Sequence, residues 1–68
     1  MNSSKFTEFG VAVRVKLIQI GKSQKWLEDE VSKKTGLFVD NSYMHKILTG
    51  HRNAPKVVAA IREILSIE

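Results

Sequence analysis

At 68 residues and a formal net charge of +4, the chain has room for one small domain that buries only about 60% of its unfolded surface. Hydrophobic residues at 43% and charged residues at 26% fit a folded chain rather than a disordered one. The absence of cysteine excludes disulfide stapling and thiol chemistry and fits a reducing cytoplasm. Residues 1–4 are polar and no apolar run approaches the roughly 18 residues of a membrane span, so neither a signal peptide nor a membrane partner is expected.

In the first segment Phe6, Phe9, Val13, Leu17 and Ile20 recur at steps of three and four, which predicts an amphipathic helix near 5–20. Ser3 or Ser4 would cap it and Gly21 would stop it. The β-branched residues Val11, Val13 and Val15 keep a strand as the rival reading. Ser23 is a good N-cap for a second helix near 23–34, in which Leu27 and Val31 face the core and Trp26 packs beside them. Glu28, Asp29 and Glu30 are expected in water, with Lys33 and Lys34 near the far end, the order that a helix dipole favours. Gly36 supplies the stop, and Leu37, Phe38 and Val39 form an apolar connector expected to tuck under the core.

Asp40 can cap a third helix near 41–49, ended by Gly50. Met44, Ile47 and Leu48 share its inner face, while Asn41, Ser42, His45 and Lys46 look elsewhere. After the donor-rich loop GHRNA, Pro55 suits the first position of a fourth helix near 55–66. Its stripe of Val57, Val58, Ile61, Ile64 and Leu65 reads as core, with a dimer seam as the lesser alternative. The expected fold is therefore all-α, a single four- to five-helix domain.

Charge is unevenly spread. Between residues 41 and 56 stand Lys46, Arg52, Lys56 and two histidines without one acid. Between residues 23 and 40, by contrast, Glu28, Asp29, Glu30 and Asp40 outnumber Lys25, Lys33 and Lys34. The positive field is thus concentrated after the middle helix and in the first segment, where Lys5, Arg14, Lys16 and Lys22 face only Glu8; a polyanion fits it, and a plain solvated surface is the rival. No nucleophile elbow, paired-carboxylate site or phosphate-cradling loop is present, so no catalytic residue and no cofactor is expected. His45 and His51 lack the neighbours of a zinc site, so no metal is expected either.

The second and third helices suit a helix-turn-helix, in which one helix start abuts the DNA backbone and the next helix enters the major groove. Ser23, Gln24 and Lys25 can hold a phosphate at a helix N-terminus. Asn41, Ser42, Tyr43 and His45 can address base edges, Asn41 by a bidentate pair with adenine. For Tyr43 the rival is partial burial, for His45 simple solvation, and for Arg52 a plain surface cation.

The stretches SQKWL, VDNSYMHKILTG and RNAPKVVAAI, in that order, resemble the lambda-repressor-like, or XRE-type, helix-turn-helix regulators of bacteria and their phages, over roughly residues 11–65. The resemblance implies a double-stranded DNA-binding transcriptional regulator, a repressor as first reading, of phage or mobile-element type. It implies base contacts from Asn41, Ser42, Tyr43 and His45, and backbone contacts from Lys22, Gln24, Lys25, Lys46, His51, Arg52, Asn53 and Lys56. Two positions depart from the family. Glu28 stands where a small residue is usual, and the turn is longer than usual, with eight steps from Val31 to Val39. That length reads as a second helix extended by about one turn, followed by a loop. The C-terminal element that many relatives use to dimerise is missing, which leaves homodimerisation open. A protein-interaction module, such as an antirepressor or adaptor, is the alternative.

Overall fold

A computed structural model describes residues 5–67. Among them lie four helices, α1 (Glu8–Ile20), α2 (Gln24–Thr35), α3 (Asn41–Leu48) and α4 (Pro55–Leu65), and no strand. The strand reading of the valine-rich segment is thereby set aside. α2 packs most extensively on α4, α1 packs on both α3 and α4, and α3 also meets α2. Val13, Leu27, Val31, Met44, Leu48, Val57 and Ile61 are fully buried at the centre.

Local capping chemistry sets most boundaries. The Ser23 hydroxyl accepts from Trp26 N and the Asp40 carboxylate accepts from Tyr43 N, so both expected caps are present. Gly21, Gly36 and Gly50 adopt the left-handed conformation at the three expected stops, with φ of 71°, 75° and 80°. α4 has no side-chain cap and begins at Pro55, whose missing amide costs nothing in the first turn.

Four expectations are corrected. The first helix starts at Glu8, not near residue 5, because the Thr7 hydroxyl accepts from Gly10 N and fixes the start there. The Ser3 and Ser4 caps lie outside the described residues. Ile20 is 41% exposed, and Val11, Val15 and Ile18 form an exposed apolar stripe, so the α1 face that meets the core is Gly10, Val13 and Leu17. Only Val39 of the connector is buried; Leu37 and Phe38 are exposed. Glu28 is buried, not turned to water, with its carboxylate accepting from Gln24 Nε2 at 3.1 Å.

Gly10 is the closest approach of α1 to α3. A Cβ built there would overlap the Leu48 carbonyl oxygen, which is backbone and has no soft way to yield. That same oxygen accepts from Thr7 N at 3.1 Å and from Thr7 Oγ1 at 3.0 Å. Gly21, by contrast, has open space around it and needs glycine only for its φ. Gly10→Ala is therefore expected to destabilise by about 3 kcal/mol through overpacking. Gly21→Ala should cost only about 1 kcal/mol, the penalty of a left-handed alanine. Urea unfolding followed by far-UV circular dichroism checks the order of the two.

Candidate functional site

The outer surface of α3 is built by what holds its inner surface. Met44, Ile47 and Leu48 are buried, and they fix the helix so that Asn41, Ser42 and Lys46 are exposed while Tyr43 and His45 are half-buried. The turn after α3 folds back onto the helix. His51 N and Arg52 N both donate to the Lys46 carbonyl, at 2.8 and 3.2 Å, and Gly50 N donates to Ile47 O. Thr49 Oγ1 donates to the His45 carbonyl at 2.9 Å and lies 2.8 Å from His51 Nδ1, which seats the His51 ring.

This folded-back turn carries the Arg52 guanidinium to 5.0 Å from the Tyr43 ring centroid, so a loop cation sits over a side chain of the helix. His45 meets the Phe6 ring edge-on at 5.9 Å, and Phe6 also carries the Arg14 guanidinium at 5.1 Å. Thus Phe6, read in the sequence only as part of the apolar stripe of the first helix, and Arg14 border the outer face of α3. Their link is purely tertiary and leaves no local signal.

Of the twelve residues selected from sequence, the structure joins Tyr43 with Arg52. Asn41, Ser42, Lys46, Asn53 and Lys56 make no side-chain hydrogen bond or ion pair among the described residues. Those at the start of α2 are differently placed. Gln24 is spent on Glu28, Lys25 pairs with Asp29 at 3.4 Å, and Lys22 lies 5.5 Å from the Trp26 ring centroid.

Electrostatically the surface divides in two. The ion pairs Lys25–Asp29, Lys33–Glu30 and Lys34–Glu63 balance charge along α2 and α4. Lys46, Arg52 and Lys56 have no acidic partner among the described residues, and the one acid beside α3, Asp40, is committed to its cap. The result is a short exposed helix with hydrogen-bonding side chains at its start and uncompensated cations at its end. Such a surface can hold an anion while offering donors and acceptors to what the anion belongs to.

No helix among the described residues is long and apolar enough to cross a membrane. Among the same residues no group of three or more histidine, aspartate or glutamate side chains gathers to hold a metal. Comparison of the chain with family models, with characterised proteins and with solved structures found no match.

The Gln24–Glu28 bond makes a separable prediction. Removing the donor from a buried carboxylate leaves that charge short of a partner, so Gln24→Ala is expected to cost about 1–2 kcal/mol of stability. In a Glu28→Ala background the same change should cost far less. A double-mutant cycle by urea unfolding measures the coupling.

Proposed function

We propose that the protein is a sequence-specific double-stranded DNA-binding regulator that acts by occupying a promoter, a repressor in its simplest form. The observation that carries this reading is the outer face of α3. Asn41 and Ser42 stand exposed at its start, and Lys46, Arg52 and Lys56, at and after its end, have no acidic partner among the described residues. The diameter of an α-helix such as α3 fits the width of the major groove, where asparagine can pair with adenine and serine with either edge. In this reading α2 and α3 form the helix-turn-helix, with α3 in the groove and the uncompensated cations on phosphates. Its order of motifs, SQKWL before VDNSYMHKILTG, resembles that of the lambda-repressor-like regulators.

Within this mechanism the roles divide. Lys46, Arg52 and Lys56 supply affinity that is blind to sequence, whereas Asn41 and Ser42, with Tyr43 and His45 behind them, supply preference. Arg52 does both jobs in part, since its guanidinium also stacks on Tyr43 and holds that ring against the helix. Lys22, Gln24 and Lys25 contribute less in this reading, because each already has an intramolecular partner. A second reading, a protein-interaction module, draws on the exposed stripe of Val11, Val15 and Ile18 along α1.

Titration of fluorescently labelled duplex at a series of salt concentrations separates the two. With three or four phosphate-facing cations, the logarithm of affinity should fall against the logarithm of salt with a slope of about −3. Absence of duplex binding at low salt, or binding indifferent to salt, would sink the DNA reading. Arg52→Ala should weaken binding on every sequence and reduce the slope by about one. Asn41→Ala should instead flatten the preference between selected and random duplex. Equal losses on both duplexes for both variants would show the roles to be wrongly divided.

A further inference from the structure

Phe38 is 83% exposed, more than any other large apolar side chain described. Its exposure is imposed by its neighbours. Gly36 ends α2 in the left-handed conformation, Leu37 N donates to Thr35 Oγ1 at 3.2 Å, and Val39 N donates to Ser32 Oγ at 3.2 Å. Val39 is 5% exposed and anchors the segment in the core, and Asp40 next caps α3. Phe38 therefore stands between two tied backbone positions, in a loop that is held while its ring lies in water. Among the described residues, the ring belongs neither to the core nor to the side chains packed against it.

We propose that Phe38 contacts DNA and reads thymine through apolar contact with its C5-methyl group. This rests on the DNA reading above. Chain connectivity puts the Phe38 Cα no more than about 11 Å from that of Asn41, which stands exposed at the start of α3. A base pair bearing thymine offers both an acceptor and a methyl in the major groove, and a phenyl ring is one of the side chains that meets the methyl. The net charge of the chain also favours DNA over a second copy. A second copy docked through Phe38 would bring together two chains of net charge +4, whereas a duplex supplies phosphates for Lys46 and Arg52 as the ring meets the base.

The test uses the full chain, Phe38→Ala, and a duplex selected from a random pool by the unaltered protein. The duplex is made in two forms, one with thymine and one with uracil in its place, which lacks only the methyl. Phe38→Ala should melt close to the unaltered protein and bind the thymine duplex about tenfold more weakly, the scale of one lost base contact. Uracil should cost the unaltered protein a similar factor and cost the variant little. Equal binding of the thymine duplex by both proteins overturns the proposal and leaves the DNA reading standing. Equal losses by the variant on thymine and uracil duplexes overturn the methyl contact. If the unaltered protein sediments as a dimer, Phe38→Ala as a monomer, and duplex affinity is unchanged, the ring serves self-association and the proposal fails. If the unaltered protein binds no duplex, the DNA reading fails and takes this inference with it.

Discussion

The carbonyl of Leu48 is the point on which the presentation of α3 depends. It lies at the C-terminal end of an eight-residue helix, where backbone acceptors lack partners within the helix. Thr7 supplies two donors to that one oxygen, its amide and its hydroxyl. The same hydroxyl accepts from Gly10 N, so the start of α1 and the end of α3 share one junction. The junction closes only because Gly10 has no side chain where the oxygen sits. A helix this short is marginal alone in water. Its existence and its orientation therefore come from this junction and from Met44, Ile47 and Leu48 beneath it.

The influence of the junction extends to the outer face. Fixing Thr7 also fixes Phe6, which lies edge-on to His45 and brings Arg14 with it. At the other side of the helix end, Thr49 and the amides of His51 and Arg52 tie the next turn back, and Arg52 comes to lie over Tyr43. Both flanks of α3 are thus set by backbone bonds. Lys46, Arg52 and Lys56 have no acidic partner among the described residues, and exposed ion pairs there would add little to stability.

The parts legible in the sequence are those with local causes. Ser23, Asp40, Pro55 and the glycines at 21, 36 and 50 announce boundaries because capping acts within one turn. The stripe of α4 and the trio Met44, Ile47 and Leu48 are legible for the same reason, since helical periodicity is a local property. Gly10 is not, because in sequence a glycine inside a helix is merely a weak helix former and its need here comes from a residue 38 positions away. The burial of Glu28 is not legible either. A run of three acids reads as a wet face, and only the packing of α2 on α3 and α4 decides which of the three turns inward. The outer face of α3 is legible as a pattern of residue types; the neighbours Phe6 and Arg14 that border it are not.

The long connector between α2 and α3 combines two demands that pull in opposite directions. A longer loop costs only slightly more entropy to close, but it would let α3 wander relative to α2 unless something fixed it. Val39 does so by burial and by its amide bond to Ser32, so the loop gains length without losing its exit direction. Ser32 belongs to the last turn of α2, which places the start of α3 under the control of the end of α2. Glu28, one turn earlier on the same helix, is buried, and Gln24 Nε2 donates to its carboxylate from within α2. The buried acid and the anchor of the connector thus both lie on α2, one turn apart.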